Sequence, residues 1–216
     1  MKKILIVPAF IAAFAVPCAA EVKSFGEAVE ALGKTDVKGR LESIYYLGSQ
    51  RTEAAYEALA LQFRKEGDPY LRTQIVGAMN VQASTWAYVC AYEAADDKNK
   101  AVRQAAAASL APKVGEPGAA KKLGILAADP AEAVRMAVVN SLAVDSSTEA
   151  VSVIAGSLAD RKGSIRARRA AAKALSGMKT PEADAELLKH LSDPDPEIKA
   201  AAAARKPSKA RPARKK

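Results

Sequence analysis

Residues 129–142 run Asp129-Pro130-Ala131-Glu132-Ala133-Val134-Arg135-Met136-Ala137-Val138-Val139-Asn140-Ser141-Leu142. With Val134 as position zero, an arginine follows at +1, and small or apolar residues stand at +4, +7 and +8. That spacing marks one face of an α-helix. The same template fits Leu71-Arg72 with Ile75, Ala78 and Met79, and Val102-Arg103 with Ala106, Ser109 and Leu110. Looser copies are Gly39-Arg40 with Ser43, Tyr46 and Leu47, and Ala167-Arg168 with Ala171, Ala174 and Leu175; Ile198-Lys199 with Ala202 is a truncated one. The basic residues Arg40, Arg72, Arg103, Arg135, Arg168 and Lys199 stand 31 to 33 positions apart. Chance does not hold that spacing over six copies.

Each of these helices, called B, follows a second amphipathic segment, called A. Ser24 opens the first, with Phe25, Ala28, Val29 and Leu32 on one face, Glu27 completing a capping box and Gly33 closing it. Later A segments start near Thr52, Ser84, Pro117, Thr148 and Thr180, the last with Pro181 at its first helical position. Between A and B, Asp68-Pro69, Asp129-Pro130 and Asp193-Pro194 place a carboxylate where it is expected to cap the B helix. Asp97 and Asp160 stand at similar places without the proline, Asp160 two residues further from its motif than Asp129. Helix, short turn, helix, repeated at about 32 residues, specifies an all-α fold: an α-solenoid of about six stacked hairpins.

The pattern Asp-Pro-x-x-x-Val-Arg-x-x-Ala-x-x-Ala-Leu resembles the second helix of HEAT-like repeats. The short period is similar to the variety named after phycobilisome lyases. The resemblance spans about residues 22–204 and implies an armadillo-like helical scaffold for protein binding; it names no partner, because this family serves unrelated binding tasks.

Composition narrows the function classes. The 216 residues carry a net charge of +9, but Lys2, Lys3 and seven basic residues among the last twelve account for nine of 33, leaving 24 in residues 21–204 against 24 acids. The repeat body is formally neutral. Only 5% of residues are aromatic, and the abundance of alanine favours closely packed helices over a β-rich fold.

Residues 1–20 have the form of a secretory signal: Lys2-Lys3, an apolar run from Ile4 to Val16, and small residues before Glu21. The expectation is bacterial export to the periplasm or medium, with cleavage after Ala20. The alternatives are a retained anchor, disfavoured by Pro8 and Pro17 in a short run, and lipidation at Cys18, whose preceding Ala15-Val16-Pro17 departs from the lipoprotein pattern. The domain plan is a signal peptide at 1–20, a solenoid at 21–204 and a disordered basic tail at 205–216. After cleavage no membrane span is expected, and Cys90 is the one mature thiol, so an intrachain disulfide is excluded; its apolar setting marks it as a buried small hydrophobe.

Catalytic chemistry finds little footing, so no enzyme activity, catalytic residue, cofactor or metal is expected. His190 is the only histidine, which excludes paired-His metal motifs and the His-Glu pairs of the HEAT-fold metal hydroxylases. It is expected to be an ordinary surface residue of the sixth A helix. Gly-rich phosphate loops, nucleophile elbows and Cys–His pairs are missing from the sequence.

Binding is the remaining role. The B helices of such arrays commonly line the concave side, where Tyr45, Thr73, Gln104, Met136, Asn140, Arg169 and Lys173 would form a shallow groove for a protein or peptide partner. The rival is a polyanion or nucleic-acid surface joining Arg166, Arg168, Arg169 and Lys173 to tail residues Arg205, Lys206, Lys209, Arg211, Arg214, Lys215 and Lys216. The ladder of Arg40, Arg72, Arg103, Arg135 and Lys199 is expected to brace the repeats by pairing with turn aspartates, its alternative being an anion-binding stripe.

Overall fold

In the computed structural model, which describes residues 24–34, 36–80 and 84–205, hydroxyl side chains start most A helices. Ser24, Thr52, Ser84, Ser147 and Thr180 are extended residues whose side-chain oxygens accept the N–H three positions on. The A helices that follow are α1 (Phe25–Leu32), α3 (Glu53–Lys65), α5 (Thr85–Ala94), α9 (Thr148–Ala159) and α11 (Pro181–Leu188). The remaining A helix, α7 (Ala119–Ala127), follows Gly118, whose φ of 85° places it in the left-handed region natural to glycine. The B helices are α2 (Val37–Gln50), α4 (Pro69–Met79), α6 (Lys100–Leu110), α8 (Glu132–Leu142), α10 (Ile165–Gly177) and α12 (Pro196–Ala203).

The caps of the B helices correct one expectation. Asp36, Asp68, Asn99, Ser164 and Asp195, each three residues before position zero, accept the first free N–H groups of their helices. Of the aspartates expected to cap, only Asp68 does so. Asp129 and Asp193 lie two residues too early: Asp129 accepts the N–H of Ala131 at 2.8 Å, and Asp193 that of Asp195 at 3.0 Å, inside the turn. α8 starts at Ala131 with no side-chain cap. A carboxylate two residues before the cap closes a local turn, which is why it resembles a cap in sequence.

Hairpins stack so that each B helix packs on the next, α2 on α4, α6, α8, α10 and α12 in turn. The core follows the template: Leu71, Val102, Val134 and Ile198 at position zero, and Leu47, Met79, Leu110, Leu142 and Leu175 at +8, are all 1% exposed or less. Each such leucine contributes roughly 1.5–3 kcal/mol by leaving water. Small buried residues at +4 (Ser43, Ala106, Ala171 and Ala202) and at +7 (Ser109 and Ala174) let neighbouring helices approach.

The A layer is less uniform. A 3-10 turn at Ala111–Lys113 and the loop to Gly118 separate α6 from α7. Side chains fill the joint there: the Tyr88 hydroxyl donates to the Pro117 carbonyl at 2.6 Å, and Lys122 Nζ lies 4.3 Å over the Tyr92 ring while bonding Asp96 at 2.6 Å. No helix of the described residues is long and apolar enough to cross a membrane.

Candidate functional site: the B-helix face and the arginine ladder

The ladder runs along the edge made by the A–B turns. Arg72 Nε and Nη2 donate to both oxygens of Asp97 at 2.7 and 3.0 Å, and Arg103 does the same to Asp129 at 2.6 and 2.9 Å. Arg40 reaches Glu66 through Nη1 at 2.8 and 2.9 Å. Arg168 pairs with Asp193 at 2.5 Å and also donates through Nε to the Leu158 carbonyl at 2.9 Å. Each acid belongs to the next repeat and stands five residues before its position zero, at Glu66, Asp97, Asp129 or Asp193. The fork of a guanidinium matches the two carboxylate oxygens, and in a half-buried setting the match ties neighbouring repeats together.

Two rungs differ. Lys199 is exposed and takes no ion pair among the described residues. Arg135 donates through Nη1 to the Asp129 and Pro130 carbonyls but hydrogen-bonds no carboxylate, its charge reaching Asp129 and Glu132 only through space. The α8–α10 joint is held with reversed polarity instead: Glu132 of α8 accepts from the Ser164 hydroxyl and, at 3.0 Å, from Arg166.

Electrostatics follow the pairing. Burial pushes the Asp97 and Asp129 carboxyls up, but the bonds from Arg72 and Arg103, with backbone N–H donors, outweigh it and leave both below the usual carboxylate range. Asp193 behaves likewise, its burial overcome by the Asp195 N–H, His190 and Arg168. His190 itself lies beyond the end of α11, with Nδ1 3.2 Å from Asp193 Oδ2 and a side chain only 12% exposed. That corrects its expected place as a surface residue inside the helix. Past the end of α11 at Leu188 the chain turns, with the His190 N–H on the Leu187 carbonyl and the Asp193 N–H on the His190 carbonyl, and Asp193 pairs with Arg168.

The expected groove residues divide. Tyr45 donates to Gln74 Oε1 at 2.8 Å, linking α2 to α4, and Thr73 donates to the Pro69 carbonyl at 2.8 Å within its own helix. Arg169 is held by Asp195 at 2.8 Å and by Glu197 at 2.6 Å. Gln104, Asn140 and Lys173 are exposed, Met136 is half-buried, and these four take no hydrogen bond or ion pair among the described residues.

The expected basic patch is not a patch of free charge. Arg166, Arg168 and Arg169 each carry an acid partner, leaving Lys173. Arg205 does not open a free tail: Nη2 donates to the Leu175, Ser176 and Met178 carbonyls, and Nη1 pairs with Asp184 at 2.8 Å. Lys206, Lys209, Arg211, Arg214, Lys215 and Lys216 lie outside the described residues, as does the leader at 1–20.

Concave space also occurs on the A layer. Two open grooves flank α9, one of about 390 Å³ against α7, lined by Lys121, Gly124, Ser152 and Asp160, and one of about 590 Å³ against α11, lined by Thr148, Ala155, Glu182 and Glu186. Cys90 lies in the core, and burial, aided by Glu93 and opposed by Arg64, pushes its thiol up to about 12. Among the described residues, no group of three or more His, Cys, Asp or Glu side chains could hold a metal ion.

The turn aspartates expected as ladder partners did not include Glu66, which stands two residues before the capping Asp68, nor did the expected contacts include the Arg64–Glu93 pair between α3 and α5 at 2.6 Å. The signal for Glu66 was present as an acid five residues before four of the six zero positions, at Glu66, Asp97, Asp129 and Asp193.

The fold and its ladder define the class: an α-solenoid of HEAT-like helical hairpins. Residues 120–205 match the family model for HEAT repeats. The chain is similar in fold to the complex of CpcE and CpcF of phycocyanin lyase from Nostoc, with 22% identity over 93% of this chain and 79% of that one, at a TM-score of 0.58. It also resembles a designed armadillo repeat protein in complex with the peptide (KR)4, with 16% identity, coverage of 84% and 98%, and a TM-score of 0.54. A third likeness is to YibA of Escherichia coli, with 19% identity, coverage of 83% and 68%, and a TM-score of 0.52. No curated protein matches the sequence.

Proposed function

We propose that this protein is an exported, non-enzymatic interaction module that holds a protein or peptide along its B-helix face. The observation that carries the reading is the row of Gln104, Met136, Asn140 and Lys173 on the successive helices α6, α8 and α10. The internal bonds of the fold leave these side chains free to make new ones. Repeat arrays offer such rows because stacking fixes one face of each helix and leaves the other open to vary. The designed armadillo solenoid with its bound peptide supports the idea that an array of this shape accommodates an extended chain.

The polyanion reading is weaker, because three of its four solenoid cations already have acid partners. It rests on the tail alone. In the reading we favour, the leader directs export and is removed after Ala20.

A photoreactive residue placed at Gln104 or Asn140, and in parallel at Ser152 on the A layer, tests the reading in the source cell. Crosslinks to one polypeptide from the B-face positions are expected. Crosslinks from Ser152 alone would overturn the B-face assignment, and a mature N-terminus at Met1 would overturn export by cleavage.

A further inference from the structure

We propose that Arg135 is an open seat for a carboxylate at the joint between α8 and α10, filled by an acidic side chain of a bound peptide. The repeats supply their own internal standard. Arg72 and Arg103 anchor Nη1 on two turn carbonyls, Glu66 and Gly67 for one and Asp97 and Lys98 for the other, and aim Nε and Nη2 at the next repeat's acid. Arg135 makes the same anchor on the Asp129 and Pro130 carbonyls. Its Nε is buried and has no hydrogen-bond partner; Arg40 Nε is in the same state, but Arg40 Nη1 already bonds Glu66, whereas Arg135 bonds no carboxylate at all.

The vacancy has a sequence cause. The residue five places before Ala167, where the other joints carry Glu66, Asp97, Asp129 or Asp193, is Lys162. The nearest acid in that turn, Asp160, is engaged with the backbone N–H groups of Lys162 and Gly163, both at 3.1 Å. Glu132 is taken up by Ser164 and Arg166. The fork at Arg135 is thus presented in the pose that grips a carboxylate in two other joints, while Arg161 and Lys162, both exposed, add positive charge to the turn that should have supplied the acid.

A guanidinium with idle donors in a half-buried place favours a planar, two-oxygen acceptor over a point anion. The ligand class is therefore a carboxylate. The inference rests on the peptide-binding reading for the origin of that carboxylate, and on the ladder alone for the seat.

The test uses the mature full chain, the Arg135 Nε–Hε resonance, and an end-blocked hexaglutamate peptide, with inorganic phosphate as comparator. Saturable movement of that resonance by hexaglutamate is expected. Lys162→Glu should fill the seat from within, raise Tm and weaken hexaglutamate binding by about tenfold or more, whereas Lys162→Ala should preserve binding. An unmoved Arg135 resonance, equal binding in Lys162→Glu, or tighter binding of phosphate would overturn the seat. Failure of the broader reading looks different: hexaglutamate still moves Arg135, but B-face photocrosslinking captures nothing.

Discussion

Arg103 and Asp129 meet across the α6–α8 joint as two parallel hydrogen bonds, at 2.6 and 2.9 Å, with side chains 16% and 5% exposed. Removing one partner leaves the other half-buried without its match. Arg103→Ala should therefore cost roughly 3–5 kcal/mol, far more than an exposed surface pair would. Replacing both, as Arg103→Met with Asp129→Leu, should recover much of that loss. Urea unfolding of the two single variants and the double variant measures the coupling; additive losses would show that the pair is not a brace. Because repeats are tied mainly to their neighbours, the singles should also broaden the transition.

Acid should dissolve the ladder from its carboxylate side. Asp97, Asp129 and Asp193 have folded pKa values below their ordinary one, since hydrogen bonds and guanidinium charge more than offset burial. A group whose folded pKa is depressed contributes fully above its unfolded value of about 3.9, and that contribution is lost as pH falls through the folded value. Tm should change little through these groups between about pH 5 and 7 and fall steeply below about pH 4. An Asp97→Asn, Asp129→Asn variant, less stable at neutral pH, should show a shallower acid slope in thermal melts. An unchanged slope would mean that other carboxylates dominate.

The fold was legible because position zero, +4, +7 and +8 report directly on burial, and burial sets the stacking. Leu71, Val102, Val134 and Ile198 needed only the period to be placed in the core. The site was less legible, because charge in a list of residues carries no partner. Arg166, Arg168, Arg169 and Arg205 look like a basic surface until the fold supplies Glu132, Asp193, Asp195 and Asp184. In the ladder pairs Arg40–Glu66, Arg72–Asp97, Arg103–Asp129 and Arg168–Asp193 the acid lies 25 or 26 residues from its arginine, a distance set by the hairpin length and invisible to local pattern. The offset of Lys162 from the acid register was visible in sequence. Its consequence, an idle fork at Arg135, needed the geometry.

Whether a neighbouring helix leaves room for a Cβ sends two glycine substitutions in opposite directions. A Cβ at Gly48 of α2 would lie 2.9 Å from Ala78 Cβ and 3.2 Å from the Ala78 carbonyl of α4, so the two B helices must part. Gly48→Ala should destabilise by about 1–3 kcal/mol despite the better helix former. A Cβ at Gly124, mid-way along α7, meets nothing within 4 Å. There Gly124→Ala should stabilise by up to about 1 kcal/mol. Paired thermal melts check the sign; stabilisation by both would show that α2 and α4 have room to spare.

Arg205 provides the sharpest separation of structure from polyanion binding. Its guanidinium covers three carbonyls at the end of α10 and pairs with Asp184 of α11, tying α12 back to the preceding hairpin. The last carbonyls of a helix have no partner within it, so a cation held there satisfies groups that would otherwise rely on water. Arg205→Ala should expose these carbonyls and loosen the final repeat by about 1–3 kcal/mol. Faster amide exchange confined to α11 and α12 is the expected sign, because an end repeat opens without disturbing those behind it. Heparin binding, by contrast, should be unchanged at a given salt concentration, since this charge is already neutralised. A drop in heparin affinity with normal exchange in α11 and α12 would place Arg205 with the tail after all.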